Sequence, residues 1–282
     1  MEHYKKNGNN YKKVSKKEIS LIAVSFLVLF SIGLFLGSEI SSRKVAMASS
    51  AKQKNQKQLN QKSMDQRESK VNPTNTKDTS GFNPYKSDGR KVVYLTFDDG
   101  PSQNNTPKIL KILKESNIKA TFFLIGKNAE ENKQLVKDEI NDGHVVANHT
   151  YSHDMHYVYS DPRIFVNDLN KCSEVLKSIV GEDYKLKLIR FPGGSFGNRL
   201  APFREAAKNA GYHYVDWNDL TGDAEHNNVP VANLVDKVKM YGNHDHLVIL
   251  MHDAPAKVTT VEALPQVIQY FKSQGYVFET LR

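Results

Sequence analysis

Two adjacent carboxylates, Asp98 and Asp99, are the first residues in the sequence whose types and spacing could do chemistry. They follow a β-branched apolar run at 92–95 that predicts a buried strand, and Gly100 and Pro101 then break that strand. Side chains on a strand alternate between its two faces, so both carboxylates can serve one site only if the backbone turns between them. The pattern predicts either a plain Asp-Gly-Pro turn or two acids with two different tasks.

A pair of histidines provides the second chemical signal. His149 and His153 are four residues apart, so a helical turn there would bring both imidazoles to one side. Two imidazoles and one carboxylate, from Asp98 or Asp99, make a three-ligand metal site that leaves positions open for water and substrate. The other carboxylate would then be free to act as a base.

Three further residues could assist such a site. His252 directly follows an apolar run at 247–251, which predicts a partly buried imidazole. Asp223 could pair with His252 and raise its pKa, so that the imidazole can donate a proton. Arg190 could similarly keep the base aspartate ionised. We interpret six other histidines as structural or surface residues: His144, His156, His213, His226, His244 and His246.

Strands and amphipathic helices alternate from residue 91 onward. Apolar runs predict strands at 92–95, 120–126, 144–148, 188–191, 213–217, 246–251 and 276–281. Helical spacing predicts helices at 107–116, 129–142, from 161 onward, 200–210, 229–241 and 260–273. About seven β/α units indicate an α/β fold with a parallel sheet covered by helices, either a barrel or a doubly wound sheet. In a barrel the reactive groups belong at the carboxyl ends of the strands, and the polar clusters follow predicted strands.

Composition separates the N-terminal third from the rest. Residues 1–90 contain 17 Lys and Arg against 7 Asp and Glu, so residues 91–282 carry a net charge of −2 although the whole chain carries +8. The folded part has no basic stripe interleaved with aromatic residues, which argues against nucleic-acid binding. The single cysteine, Cys172, excludes an intramolecular disulfide, and its helical apolar surroundings predict a buried core thiol.

The N-terminal third itself predicts a membrane anchor and a linker. A lysine-rich tail at 1–19 precedes an uncharged apolar run at 20–38, which predicts a transmembrane helix with the N-terminus inside and the bulk of the chain outside. The polar segment 39–88 predicts a disordered linker, and 89–282 is then the catalytic domain. The small residues at 46–48 resemble a cleavage site, so a removable signal peptide and a secreted protein are the alternative.

Five ordered segments together resemble the polysaccharide deacetylase family, carbohydrate esterase family 4. The family's motifs are Thr-Phe-Asp-Asp-Gly, His-(Ser/Thr)-x-x-His, Arg-x-Pro-x-Gly, a fourth motif that contains Asp, and Leu-x-His. The chain matches them in that order at 96–100, 149–153, 190–194, 217–223 and 250–252. The resemblance covers about residues 91–282.

The resemblance implies a distorted (β/α) barrel and a divalent metal. The metal ligands would be Asp99, His149 and His153, with Zn²⁺ the first choice and Co²⁺, Mn²⁺ or Ni²⁺ as alternatives. The implied substrates are glycans that contain N-acetylglucosamine. Because the predicted anchor would place the enzyme outside the membrane, we expect peptidoglycan first, with a wall-attached polysaccharide, its linkage unit or chitooligosaccharide as alternatives.

The resemblance also implies a role for each remaining site residue. Asp98 would be the general base, braced by Arg190, and His252 the general acid, tuned by Asp223. This division suits amide hydrolysis, in which water must lose a proton and the leaving amine must gain one. A backbone N–H near Gly193 could stabilise the oxyanion.

Two motifs depart from the family pattern. Many members carry an aromatic residue where this chain has Gly193, so a sugar-stacking ring is lost while the backbone N–H remains. In the fourth motif Leu220 and Ala224 replace an Asp and a Trp, so only Asp223 is carried over, beside Trp217 as a candidate substrate contact. These departures predict a more open substrate groove.

Two other function classes remain compatible with the residues. Two His and one carboxylate also suit Fe(II), so a non-haem iron oxygenase is one alternative, although the additional Asp–His pair argues against it. The other is a catalytically silent wall-binding module with a structural metal. Structural zinc sites usually have four protein ligands, whereas the sequence offers three.

Overall fold

The computed structural model describes residues 82–241 and 244–281, in which parallel strands alternate with helices. The strands are β1 Val92–Asp98, β2 Thr121–Leu124, β3 Val145–Asn148, β4 Leu188–Ile189, β5 His213–Tyr214, β6 Asp219–Leu220, β7 His246–His252 and β8 Val277–Phe278. The helices are α1 Thr106–Glu115, α2 Gly126–Glu131, α3 Lys133–Asn141, α4 Met155–Val158, α5 Pro162–Val180, α6 Ala201–Asn209, α7 Val231–Tyr241 and α8 Val258–Ser273, with a 3₁₀ turn at Asn198–Leu200.

The strands form one curled parallel sheet. Its order is β5-β4-β3-β2-β1-β7-β6, and the short β8 pairs with the first residues of β1. The two outermost strands, β5 and β6, are consecutive in the chain and are joined by residues 215–218, so the sheet bends back on itself. No ladder joins β5 to β6 within the described residues, and the architecture is a barrel-like β/α sheet that is not closed. The predicted α/β fold with a parallel sheet is confirmed.

Alternation along β1 decides which side chains reach the inside of the curl. Val93, Leu95 and Phe97 belong to the large core between sheet and helices, whereas Val92 and Tyr94 belong to a separate cluster inside the curl. The same period of two therefore places the next even-numbered side chains of β1, ending with that of Asp98, on the inner face.

Two local predictions were wrong, and one short strand was missed. The predicted helix at 129–142 is two helices, α2 and α3, because the backbone leaves the helical region at Asn132 (φ −125°, ψ 46°). The predicted strand at 213–217 covers only β5, and the two-residue β6 after it was not predicted. Strands of two residues carry too little periodicity to be recognised from a sequence.

Residues that precede the first strand contact the folded unit. The ring of Phe82 packs edge-on against Tyr94, with centroids 6.1 Å apart. The carbonyl of Pro84 lies 3.2 Å from His246 Nδ1, and Asp88 Oδ1 lies 3.2 Å from His246 Nε2. Residues 82–88, which the sequence analysis assigned to the linker, therefore cover the end of the sheet where β1 and β7 begin.

The predicted transmembrane run at 20–38 lies outside the described residues, as do the basic tail and most of the predicted linker. A search of the described helices for one long and apolar enough to cross a membrane finds none.

Candidate active site

Five of the sequence-predicted residues meet at the carboxyl edge of the sheet. Asp98 is the last residue of β1, His149 follows β3, Arg190 follows β4, Asp223 follows β6, and His252 is the last residue of β7. The carboxyl ends of parallel strands lie on one edge, so segments far apart in sequence converge there. Asp223 reaches this edge from β6, not from the fifth predicted strand.

The two adjacent carboxylates separate because the backbone turns between them. Asp98 lies within the β1 ladder and is 2% exposed. Asp99 has a φ of +73°, a conformation that non-glycine residues rarely adopt and that is typical of constrained functional sites. This turn removes Asp99 from the strand alternation and directs its carboxylate towards the two histidines.

Asp99, His149 and His153 form a candidate metal site. One ligand atom from each lies within 4.8 Å of the others, and this is the one such group in the part of the chain that the structure describes. Asp99 Oδ1 lies 3.6 Å from His149 Nε2 and 3.3 Å from His153 Nε2, and among the described residues it has no hydrogen-bond partner. A buried carboxylate oxygen without a partner is costly unless a ligand satisfies it, so the donor set fits a cation.

The state of His149 also fits metal binding. Its Nδ1 lies 2.8 Å from the carbonyl oxygen of Arg190. Because a carbonyl can only accept, Nδ1 carries the hydrogen and Nε2 presents its lone pair to the site. Burial lowers the pKa of His149 to about 3, so the ring is neutral, as a metal ligand must be.

The segment that carries the two imidazoles is a loop and not a helical turn. Thr150 and His153 both have positive φ values, +67° and +53°, and α4 begins only at Met155. The carboxylate of Asp168, on α5, accepts hydrogen bonds from the backbone N–H groups of Tyr151 and Ser152, at 2.6 and 3.0 Å. The ring centroids of the two histidines are 4.8 Å apart. The loop therefore brings the two imidazoles together, as predicted, although it is not helical.

Arg190 is fully buried and holds Asp98. Its Nη1 donates to Asp98 Oδ1 at 2.8 Å and to Thr96 Oγ1 at 2.7 Å. Nε donates to the carbonyl of Val215, and Nη2 to that of Asp216. Burial raises the pKa of the Asp98 carboxyl and outweighs the opposing effect of the guanidinium, so the pKa lies above the ordinary value. A base with a raised pKa retains an abstracted proton more readily.

His252 and Asp223 form a hydrogen-bonded pair. Nδ1 of His252 lies 2.8 Å from Asp223 Oδ1, and Asp223 Oδ2 accepts from the backbone N–H of His252 and from Thr260 Oγ1. Burial lowers the pKa of His252, but the hydrogen bond and charge of Asp223, with further help from Asp98, raise it overall to about 9. The imidazole is therefore protonated at neutral pH and can donate a proton.

The two remaining candidates lie at the rim. Gly193 has a φ of +74° and is exposed, and its N–H makes no hydrogen bond to another described residue. Trp217 is partly buried, with its ring 5.4 Å from that of Phe196 and 5.8 Å from the guanidinium of Arg190. Met155 approaches from the other side, since its Cε would lie 3.0 Å from a Cβ at position 193.

Sequence reasoning missed several residues that support the site. Thr96 accepts from Arg190, Asp168 holds the histidine loop, and Thr260 holds Asp223. Asp216 accepts from both the N–H and the hydroxyl of Ser195, and so fixes the loop that contains Gly193. Asp168 could have been noticed, because it is a charged residue inside the apolar stripe of a helix. The others carry no signal without the fold.

Comparison with protein-family models finds one match, to the family described as polysaccharide deacetylase, at residues 85–215. The putative polysaccharide deacetylase YheN of Bacillus subtilis is 36% identical over 199 residues, which cover 68% of each chain. A peptidoglycan-N-acetylglucosamine deacetylase of Bacillus cereus is 36% identical over 194 residues, which cover 67% of this chain and 69% of that protein.

Solved structures give the same picture. A Streptococcus mutans CE4 esterase superposes with a TM-score of 0.64 at 33% identity, over 69% of this chain and 87% of the other. The catalytic domain of a peptidoglycan N-acetylglucosamine deacetylase from Eubacterium rectale gives a TM-score of 0.64 at 31% identity, over 73% and 94% of the two chains.

Proposed function

The chain belongs to the polysaccharide deacetylase family and is a deacetylase hydrolase, and we propose that it removes the acetyl group from N-acetylglucosamine residues of peptidoglycan with the help of a divalent metal. The observation that carries this proposal is that three features meet at one edge of the sheet. They are the candidate metal ligands Asp99, His149 and His153, the buried carboxylate of Asp98, and the protonated imidazole of His252. An iron oxygenase would have no use for the last two.

The metal would be held by Asp99, His149 and His153, and Zn²⁺ suits two imidazoles and one carboxylate. Co²⁺, Mn²⁺ and Ni²⁺ are alternatives that the donor set also accepts. When bound, the metal would act as a Lewis acid that polarises the acetyl carbonyl and activates water. Dialysis against a chelator should abolish acetate release, and the divalent ion that restores it at the lowest concentration identifies the preferred metal.

Asp98 would accept the proton of the attacking water. Its carboxylate is on the inner face of the sheet beside the metal ligands, with Oδ2 3.7 Å from His149 Nε2. Arg190 Nη1 holds the other oxygen, Oδ1, so Oδ2 is the atom that faces the metal site. The guanidinium fixes the carboxylate in place, while burial keeps the carboxylate basic.

His252 would deliver the proton to the leaving amine. Asp98 and His252 are register partners in the β1–β7 ladder, so the base and the acid lie side by side on adjacent strands. Asp223 orients the ring by its bond to Nδ1 and leaves Nε2 as the donor atom. The N–H of Gly193 would donate to the developing oxyanion, and Trp217 would contact the sugar.

The choice of peptidoglycan rests on the relatives and on the N-terminal sequence. Two relatives are named peptidoglycan-N-acetylglucosamine deacetylases, in Bacillus cereus and in Eubacterium rectale. A transmembrane helix at 20–38 followed by a polar linker at 39–88 would hold the domain 89–282 outside the cell membrane, beside the wall. Protease treatment of intact cells should then degrade the catalytic domain, whereas a released protein beginning after residue 48 would support the signal-peptide alternative.

Purified peptidoglycan provides the decisive test. The enzyme should release acetate, and mass mapping of the digested glycan should show a loss of 42 mass units, one acetyl group exchanged for hydrogen, on N-acetylglucosamine and not on N-acetylmuramic acid. If a wall-attached polysaccharide or chitooligosaccharide is deacetylated and peptidoglycan is not, the proposed reaction is correct and the proposed substrate is wrong. No acetate from any of these glycans under any divalent metal would contradict the proposed function and favour a silent wall-binding module.

A further inference from the structure

Asp253 is a buried carboxylate at the active-site edge that the proposed reaction does not use. It follows His252 directly and is fully buried. Its backbone N–H donates to the carbonyl of Asp98, the last residue of β1, at 2.8 Å, which continues the β1–β7 ladder one residue past the end of β7.

The side chain of Asp253 accepts two hydroxyl hydrogens. Ser102 Oγ donates to Oδ1 at 3.2 Å, and Thr106 Oγ1 donates to Oδ2. Thr106 Oγ1 itself accepts from the backbone N–H of Ser102 at 2.7 Å, so its own hydrogen is directed to Asp253. Both carboxylate oxygens therefore act as acceptors, and the segment after β7 is tied to the start of α1.

The turn that carries Asp99 lies against this carboxylate. A Cβ at Gly100 would lie 2.7 Å from Asp253 Oδ2, so only a glycine allows the backbone to approach so closely. Asp253 thus contacts the chain on both sides of Asp99, at the carbonyl of Asp98 before it and at Gly100 after it. Asp99 holds a positive φ, a conformation that persists only when its surroundings impose it.

We propose that Asp253 is a positioning residue that holds the turn 98–100, keeps the Asp99 carboxylate aimed at His149 and His153, and thereby sets the affinity of the metal site. The inference rests on the metal site of the proposed function but not on its substrate. Groups that orient metal ligands typically contribute about 10–100-fold to metal affinity.

Substitution Asp253→Asn tests this in the full chain, purified in detergent. Asparagine has the same size but offers only one acceptor oxygen, so one of the two hydroxyls, Ser102 or Thr106, loses its acceptor. We expect the dissociation constant for Zn²⁺, measured by competition with a chromogenic chelator, to rise about 10–100-fold. The matched control is Asp219→Asn, at a buried acid on β6 whose Oδ2 has no hydrogen-bond partner among the described residues; its Zn²⁺ affinity should equal that of the wild type.

Thr106 provides a second route to the same contact if Asp253→Asn fails to fold. Thr106→Val removes the hydroxyl at similar volume and should weaken Zn²⁺ binding, whereas Thr106→Ser keeps the hydroxyl and should restore it. Adding Thr106→Val to Asp253→Asn should cost less than the two separate losses together, because both act on one contact.

Wild-type Zn²⁺ affinity in Asp253→Asn, or in Thr106→Val, would overturn the inference, as would an equal loss in Asp219→Asn. Metal binding is measured without substrate. If the variants lose Zn²⁺ affinity but the wild-type enzyme releases acetate from no glycan, the proposed function is contradicted and the role of Asp253 in metal binding still holds.

Discussion

Asp98 and Asp99 are adjacent residues of one type in two different environments, which is why we propose a different task for each. Asp98 is buried on the inner face with a guanidinium on one oxygen, whereas Asp99 is turned out of the strand and its side chain is 22% exposed. The sequence identified both acids, and the alternation rule indicated that both could serve one site only if the backbone turned between them. It could not predict the division of tasks from the residues alone, because that depends on a single φ value and on an arginine 92 residues away.

The pKa of His252 predicts how activity depends on pH. Since the pKa in the folded protein lies at about 9, above the ordinary 6.5, the protonated imidazole persists through neutral pH and is lost as pH rises through about 9. We therefore expect kcat to fall as the pH rises through about 9, which gives the pH profile of kcat an alkaline limb. The stabilisation from the His252–Asp223 pair should follow the same course, complete below pH 6.5 and lost through about 9.

Asp223→Asn should move that limb to lower pH, because the carboxylate is what raises the pKa of His252. A pH profile of kcat for both proteins measures the shift. Thr260→Val, which removes only a partner of Asp223, provides a milder comparison. An alkaline limb at the same pH in Asp223→Asn would assign it to another group.

Asp98→Asn should lower kcat by about 10²–10⁴-fold with little change in KM, because proton abstraction is lost while substrate contacts remain. Acetate release from peptidoglycan measures both constants. The substitution also removes the carboxylate that pairs with the buried Arg190 guanidinium, so the unfolding midpoint must be measured in parallel. Asp183→Asn, an exposed acid in the turn before β4, should change neither constant, and a kcat near the wild-type value in Asp98→Asn would remove Asp98 as the base.

At the scale of elements, the strands and helices with a long repeat of apolar residues could be predicted from the sequence, and the short ones could not. The spacing of apolar residues located β1, β7, α5 and α8, whose buried faces are long enough to repeat. The two-residue β6 and the four-residue α4 carry no repeat, and both lie beside the active site. The motif residues and the strands β1 and β7 could therefore be identified from the sequence, but the short elements β6 and α4 could not.

The histidine loop predicts a role for α5 in metal binding. Asp168→Ala should weaken Zn²⁺ binding about 10–100-fold, because the loop that carries His153 loses the carboxylate oxygen that accepts from two N–H groups. The chelator competition used for Asp253 measures it. Glu174→Ala, at an exposed acid on the same helix, is the control and should bind Zn²⁺ as the wild type does. Equal affinities in the two variants would mean that the loop holds its conformation without Asp168.

At the scale of the whole molecule, the strand order explains why five distant motifs form one site. The central strand β1 lies between β2 and β7, so Asp98 and Asp99 are placed beside His252 on one side and beside the histidine loop beyond β2 on the other. Chain order alone puts His252 more than 150 residues from Asp98. Only the crossover from β6 to β7 beside β1 makes them neighbours, and alternation of strands and helices does not specify that order.

The residues before β1 give the last prediction. Phe82, Pro84 and Asp88 contact Tyr94 and His246, although composition places them in the linker. A fragment of residues 82–282 should therefore unfold at a higher temperature than one of residues 91–282. The lost ring packing and hydrogen bonds contribute about 1–3 kcal/mol, and each kcal/mol shifts the midpoint of a domain this size by about 2–4 °C. Calorimetry of the two fragments measures the difference, and Phe82→Ala in the longer one should account for part of it. Equal midpoints would mean that residues 82–88 belong to the linker, as the sequence predicted.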